Sequence, residues 1–450
     1  MRIHFIAIGG SAMHNLAIAL HKKGFIVSGS DDVIFEPSNT RLAKHGILPS
    51  KLGWDTANIT ADLDAVILGM HALLDNPELL KAQEMGLKIY SYPEYIYEQT
   101  KEKLRVVIGG SHGKTTITSM ILHVLNFHGK DFDYLVGAQL EGFDTMVKIT
   151  DAAPVIIIEG DEYLASPIDR RPKFHLYKAN IAVISGVAWD HINVFPTYAD
   201  YLRQFDLFID TIQPDGKLIY CEADNELNKL VGNNNSSVLK LAYQMPAHTV
   251  ENGITYLLPE KLPLKIFGDH NLMNLSAAKQ VCQELGITSE QFDNAIVSFK
   301  GASRRLELLN SEKNCNVYKD FAHSPSKVKA TIEAVKSQFE ERKLVACLEL
   351  HTFSSLNKNF LLEYQNSMIH ADVSLVYIDE KSFQQKKIEP FSDIDVQTAF
   401  KSPGLIFFSN AQVLEAYLRS LDYSNANLLM MSSGNFGGIN LVKLAYELNT

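Results

Sequence analysis

The stretch RVVIGGSHGKTTITSM, residues 105–120, constrains the fold more than any other part of this chain. A short apolar, β-branched run, a glycine pair and a helix-forming run in that order describe a buried strand that turns sharply into a helix. In such a turn the glycines let the backbone wrap an anion, and the helix N-terminus points its amides at it. The usual phosphate-loop pattern, G-x-x-x-x-G-K-[ST], requires glycine six residues before the lysine. Here Ile108 holds that slot and Gly109 and Gly110 follow, so the loop is one residue short. Lys114 is still placed to reach terminal phosphates, and the hydroxyl of Thr115 or Thr116 to ligate Mg²⁺. The plainer alternative is a helix N-terminus with an ordinary exposed lysine.

Strand-sized apolar runs alternate with helical periodicity along the rest of the 450 residues, a length that suggests roughly three domains. RIHFIAIGG, FIVSGSD and DAVILGM belong to a first segment, residues 1–102. LRVVIGG, PVIIIEGDE, IAVISGVAWDH and KLIYCEAD belong to a second, 103–302, with a polar loop at 232–237. NVYKDFA, KLVACLEL, VSLVYID, GLIFFS and NLLMMSSG belong to a third, 303–450. Repeated βα alternation implies an α/β protein with parallel sheets covered on both faces. The expected architecture is a Rossmann-like N-terminal domain, a central P-loop ATPase with a parallel-rich sheet, and a Rossmann-like C-terminal domain.

Composition narrows the function classes. No apolar run approaches the roughly 18–20 residues of a membrane helix, and Met1 leads directly into a core strand with no signal-peptide pattern. A net charge of −10 argues against general nucleic-acid binding, which needs a basic surface, but leaves room for small anionic ligands. Cys221, Cys282, Cys315 and Cys347 are far apart without C-x-x-C spacing, as expected of reduced thiols in a cytoplasmic protein.

The first glycine loop, IAIGGSAMHNLA, also joins a strand to a helix, but His14 stands in the last glycine slot of the dinucleotide fingerprint. Asp31 and Asp32 follow the second strand, where a ribose could be read. By itself the loop fits a nucleotide site and a ligand-free βα turn equally well. Two further stretches place polar groups at strand ends: Glu159, Asp161 and Glu162 in IIIEGDEY, and Asp190 and His191 in ISGVAWDHINVF. Carboxylate and imidazole together can hold a second hard cation beside a triphosphate, although each cluster alone also reads as a solvated turn.

Taken in order, GSHGKTT, EGDEY, DHINVF, FGDHNLMNLSAA, GASRRLE and KDFAHSPSKV resemble the Mur ligase family over essentially the whole chain. The resemblance implies an ATP-dependent amide-forming ligase whose shortened loop is normal for the family. ATP would lie on Gly110, Ser111, His112, Gly113, Lys114, Thr115 and Thr116. Lys114 would bind the β- and γ-phosphates, Thr115 one Mg²⁺, and Glu159 with His191 a second Mg²⁺. His270, Asn271 and Asn274 would read the adenine; Arg304 or Arg305, Asp320 and His323 would grip phosphate and ribose from the C-terminal domain. The catalytic group implied is Lys114, Glu159, His191, Arg304 and Arg305. Gly9, Gly10, Ser11, Ala12, Met13, Ser30, Asp31 and His71 would hold the UDP-sugar.

INVFPTYADYLRQFDLFID lacks the lysine that several family members carry there, which fits the branch acting on UDP-N-acetylmuramate. GSDDVIFEPSNTRL, SPIDRRPKFHLYKAN and SSGNFGGI resemble segments of the family's peptide-adding branch, and that resemblance implies L-alanyl-γ-D-glutamyl-meso-diaminopimelate as the amine, with L-alanine as the alternative. The expected partners are these small molecules, with no nucleic acid or membrane, and a monomer or weak homo-oligomer. An NAD-dependent dehydrogenase would leave Gly-Lys-Thr-Thr idle, and a non-catalytic UDP-sugar-binding regulator would have no need of Lys114, Glu159 and His191.

Overall fold

In the computed structural model, whose description covers the chain apart from residues 141, 191–193, 303–304, 313–314, 387–388 and 449–450, each apolar run becomes a strand and the helices fill the gaps. His191 and Arg304, two of the expected catalytic residues, therefore lie outside the described residues.

The described chain divides into two compact units. Met1–Val187, Thr197–Gln244 and Ala277–Thr288 form one; Ala188–Pro196, Met245–Ser276 and Ser289–Thr450 form the other.

The first unit contains two sheets. β1 (Arg2–Ile6), β2 (Ile26–Ser30), β3 (Ala65–Leu68) and β4 (Ile89–Ser91) pair in parallel in the order β2-β1-β3-β4. The second sheet contains β5 (Leu104–Gly109), β6 (Asp133–Leu135), β7 (Val147–Lys148), β8 (Val155–Glu159), β9 (Ile181–Ile184), β10 (Lys217–Cys221) and β11 (Leu239–Tyr243). Its order is β11-β10-β9-β5-β8-β6-β7, parallel except for the edge strand β7. β5 is central, so Val106, Val107 and Ile108 have no exposed surface, as a run buried on both faces should.

The second unit opens with a small antiparallel sheet of β12 (His248–Glu251), β13 (Ile254–Leu257) and β14 (Leu262–Leu264), which the α/β pattern did not anticipate. Its larger sheet has β15 (Glu307–Glu312), β16 (Cys315–Asp320), β17 (Lys343–Glu349), β18 (Val373–Tyr377), β19 (Ile406–Phe408) and β20 (Ala426–Met431), in the order β15-β16-β20-β17-β18-β19. β15 runs antiparallel at the edge and the rest are parallel. Strand alternation divides its core: Leu344, Ala346, Leu348, Leu429 and Met431 face one layer, Val345, Cys347, Leu428 and Met430 the other.

Six helices carry or support site residues: α1 (Ser11–Lys22), α2 (Pro77–Glu84), α3 (Lys114–Phe127), α4 (Tyr198–Asp210), α5 (Asp269–Glu284) and α6 (Pro325–Gln338). The polar run expected as a loop at 232–237 starts inside a helix, Asn225–Asn233. All four cysteines are buried free thiols. Among the described residues no helix is long and apolar enough to cross a membrane.

Candidate active site

Central strand β5 delivers the glycine loop to the C-terminal edge of its sheet, the edge on which open α/β sheets bind ligands. Gly110 has φ +120°, and a Cβ there would lie 2.7 Å from the backbone nitrogen of Ser185. Only glycine fits that turn. Ser111 N donates to the Gly186 carbonyl at 2.9 Å, and the Ser185 hydroxyl donates to the His112 carbonyl. The loop is thereby fastened to the segment following β9. Gly113, with φ +78°, caps α3.

Lys114 occupies the first position of α3. Its Nζ donates to the Gly110 carbonyl at 2.6 Å and to Glu162 Oε2 at 2.7 Å. The lysine side chain is 16% exposed and the glutamate 0%. The Tyr201 hydroxyl on α4 donates to the other Glu162 oxygen at 3.2 Å. Burial pushes the Lys114 pKa down, but the carboxylates of Glu162, Asp161 and Glu159 outweigh it and leave the ammonium above its ordinary value. The lysine is therefore charged and aimed across the loop.

Thr115, the next residue, donates from Oγ1 to Glu159 Oε1 at 2.8 Å, while Gly137 N donates to Oε2 at 2.8 Å. A Cβ at residue 137 would sit 2.7 Å from Glu159 Oε1, so any larger residue there would push the carboxylate off its place beside Thr115. Asp161 instead holds Lys173 at 2.6 Å. The EGDE stretch thus divides its work: Glu159 to the threonine, Glu162 to the lysine, Asp161 outward. A threonine hydroxyl beside a carboxylate at a strand end is a hard-oxygen donor set that suits Mg²⁺. Among the described residues no group of three or more histidine, cysteine, aspartate or glutamate side chains is arranged around a metal position.

In the first glycine loop, Gly9 N donates to Asp31 Oδ2 at 2.7 Å, and Ala7 N and Ile8 N donate to the Ser30 carbonyl at 2.9 and 3.0 Å. Ser30 and Asp31, read from sequence as ligand residues, act here as clamps on the loop. The clamp is itself anchored. Glu78, with no exposed surface, accepts from the Ser30 hydroxyl, from Asp55 N and Asn58 Nδ2 at 2.9 Å each, and from His4 Nε2 at 3.3 Å. Burial raises the Glu78 pKa, but His4, Ser30, Asn58 and Asp55 outweigh it and hold the carboxyl below its ordinary value. His14 is buried, its Nδ1 2.9 Å from the Gly10 carbonyl and 3.0 Å from the Ser38 hydroxyl, and burial lowers its pKa. Gly10 precedes α1 and Ser11, Ala12 and Met13 form its first turn; Met13 is buried and Ser11 exposed. His71 is exposed beyond β3.

In the second unit, both Asp320 oxygens receive backbone amides, Leu306 N and Ala322 N, each at 2.7 Å. The Arg305 guanidinium lies 4.7 Å above the Phe321 ring. Asn271 Nδ2 donates to the Phe267 carbonyl at 2.9 Å, Asn274 is buried, and burial lowers the His270 pKa. Burial, with Lys327 nearby, pushes the His323 imidazole down to about 4, and its Nδ1 donates to the Phe321 carbonyl at 2.8 Å. Lys327 Nζ meets Asp190 Oδ2 at 3.1 Å, so Asp190 is tied to α6.

Sequence reading missed His4 and Glu78. Glu78 follows Pro77 in the first turn of α2, where an acidic residue reads as ordinary dipole complementation. Tyr201 had only its helical spacing as a signal.

Residues 2–103 match the Mur ligase family catalytic domain, and 108–282 the Mur ligase middle domain. A UDP-N-acetylmuramate–L-alanine ligase from Clostridium kluyveri is 31% identical over 382 residues, which covers 81% of each chain. Two solved structures share the fold over 100% of this chain. A murein peptide ligase from Psychrobacter arcticus has TM-score 0.64 and 22% identity, with 99% of that chain covered. A UDP-N-acetylmuramate–alanine ligase from Thermotoga maritima has TM-score 0.68 and 21% identity, with 98% covered. An α/β chain with a shortened phosphate loop, a buried Lys114–Glu162 pair and a Thr115–Glu159 donor set, so matched, belongs to the Mur ligase family, the ATP- and Mg²⁺-dependent carbon–nitrogen ligases of peptidoglycan assembly.

Proposed function

We propose that this ligase joins the lactyl carboxylate of UDP-N-acetylmuramate to the α-amine of L-alanyl-γ-D-glutamyl-meso-diaminopimelate. The carboxylate attacks the γ-phosphate of ATP, giving an acyl phosphate and ADP. The amine attacks the acyl carbon, and the tetrahedral intermediate collapses to amide and inorganic phosphate. The observation that carries the phosphoryl step is Lys114, charged and held beside Thr115 and Glu159 at the end of β5 and β8. Lys114 meets the phosphate oxygens once a nucleotide displaces Glu162 from Nζ. Thr115 and Glu159, with His191, would hold Mg²⁺, which when bound neutralises charge on the phosphoryl oxygens. Phosphoryl transfer needs positioned cations more than a protein nucleophile, and the site offers that.

Residues 1–102 hold the UDP-sugar through Gly9, Gly10, Ser11, Ala12, Met13, Ser30, Asp31 and His71. Residues 103–302 hold ATP, with His270, Asn271 and Asn274 on the adenine side. Residues 303–450 supply Arg304, Arg305, Asp320, His323 and the amine site. The enzyme works in the cytoplasm as a monomer or weak homo-oligomer.

The tripeptide reading is supported by the turn at residues 164–172, inserted between the acidic cluster and β9. Leu164 bridges Pro172, and Arg171 binds Asp169 at 2.6 Å and Glu94 at 3.3 Å. The second reading, L-alanine as the amine, is favoured by the names of the curated relatives, among them that of Clostridium kluyveri. Phosphate release with UDP-N-acetylmuramate and ATP, measured with each amine in turn, separates them. Release with the tripeptide and little with L-alanine is expected; release with free L-alanine alone overturns the proposal.

A further inference from the structure

A cavity of about 300 Å³ opens in the second unit at the N-terminal turn of α6. Trp189 and Phe360 supply its apolar lining, Lys329 a cation and Glu363 a carboxylate. Ser367 also lines it; the residue is 4% exposed and its Oγ has no hydrogen-bond partner among the described residues. A buried hydroxyl without a partner is costly, and such groups commonly await a ligand or a water. The hydroxyl of Ser324, 5% exposed at the N-cap of α6, is likewise unpartnered and makes no capping bond. The helix N-terminus favours an anion, and Lys329, one turn in, adds to it. Among the described residues, Lys329 is otherwise engaged only in a loose 3.9 Å contact with Glu333.

We infer that this cavity takes the ammonium–carboxylate end of an amino acid attached through a hydrocarbon spacer. The carboxylate sits at Lys329 and the α6 N-terminus with Ser367, the ammonium at Glu363, and the methylenes between Trp189 and Phe360. On the amine reading proposed above, on which this inference rests, that end is the distal centre of meso-diaminopimelate, the residue farthest from the reacting amine. The cavity is continuous in sequence with the catalytic region: Trp189 precedes Asp190, which Lys327 of α6 holds at 3.1 Å.

The chain has two tryptophans, so Trp54→Phe leaves Trp189 as the sole indole reporter. The test titrates this full-length variant, in the presence of UDP-N-acetylmuramate and ADP, with the diaminopimelate tripeptide and with its L-lysine counterpart, which lacks the distal carboxylate. Saturable change in Trp189 emission is expected for both, with the lysine peptide about tenfold weaker, the worth of one charge-assisted hydrogen-bonded contact. Lys329→Met should raise KM for the diaminopimelate peptide about tenfold at unchanged kcat, and leave the lysine peptide unaffected. Ser367→Ala should act in the same direction. Equal affinity for the two peptides in the parent, or equal weakening of both by Lys329→Met, overturns the cavity assignment while ligation of the tripeptide keeps the proposed reaction. Ligation of L-alanine without ligation of either tripeptide overturns the proposed reaction and this inference with it.

Discussion

Replacing Lys114 by alanine should do two separable things. It removes the cation from Glu162, a carboxylate with no exposed surface, while the Tyr201 hydroxyl stays at 3.2 Å. Breaking a buried ion pair by deleting one partner costs about 3–5 kcal/mol. An independent bound agrees. If Glu162 takes up a proton instead, moving a carboxyl with an ordinary pKa of about 4.3 to the neutral form at pH 7 costs about 2.7 × 1.36, or about 3.7 kcal/mol. Adding Glu162→Gln removes the charge that has lost its lysine, so the double variant should recover about 2–3 kcal/mol of that loss. Activity should not follow. Loss of one preorganised donor to transferring phosphoryl oxygens costs about 10²–10³-fold in kcat, and Glu162→Gln supplies no replacement. Urea denaturation and phosphate release on wild type, both single variants and the double variant measure the two effects. Lys114 has a raised folded pKa, so its contribution is complete below the unfolded value of 10.5 and is lost only as pH climbs through the folded one. The cycle is therefore best run near neutrality. Wild-type stability in Lys114→Ala would refute the buried-pair argument. Turnover in the double variant within tenfold of wild type would refute the phosphate role.

Three further outcomes are expected. Gly110→Ala meets both the +120° φ and the Ser185 backbone, at about 1–3 kcal/mol of strain before the clash; nucleotide titration should show ATP binding lost and UDP-sugar binding kept. His175 is 6% exposed, and burial depresses its pKa from 6.5 to about 4. Stability tied to its neutral form is full above pH 6.5 and falls by about 3 kcal/mol as pH drops to about 4, a slope that His175→Gln should flatten in urea titrations. Glu78→Gln puts an amide donor among donors beneath Ser30, so KM for UDP-N-acetylmuramate should rise about tenfold with kcat near wild type; unchanged KM would remove Glu78 from the clamp.

Residues whose role follows from local chain geometry were legible in the sequence. Strand β5, the glycine turn and Lys114 at the helix start are contiguous, so pattern and chemistry coincide. Glu159 was legible because parallel sheets gather strand ends. The choice among Glu159, Asp161 and Glu162 was not, because which carboxylate faces Thr115, Lys114 or Lys173 depends on the twist beyond β8 and on side chains up to 48 residues distant. Asp31 illustrates the converse. Sequence spacing marks it as a ribose reader, and the structure adds that one of its oxygens holds Gly9 N, 22 residues away. Asn271 and Asp320 likewise spend polar atoms on their own backbone, which no periodicity reports. The β12–β14 sheet was missed because HTVENGITYL and the segment after it are short, half-exposed and lie between stronger α/β signals.

The central claim is that the Lys114 loop serves a reaction passing through an acyl phosphate on the muramyl carboxylate. UDP-N-acetylmuramate carrying ¹⁸O in the lactyl carboxylate, ligated once with ATP and the tripeptide, tests it by mass analysis of the released phosphate. The account requires one labelled oxygen transferred to each phosphate. Unlabelled phosphate released alongside the amide product would contradict it.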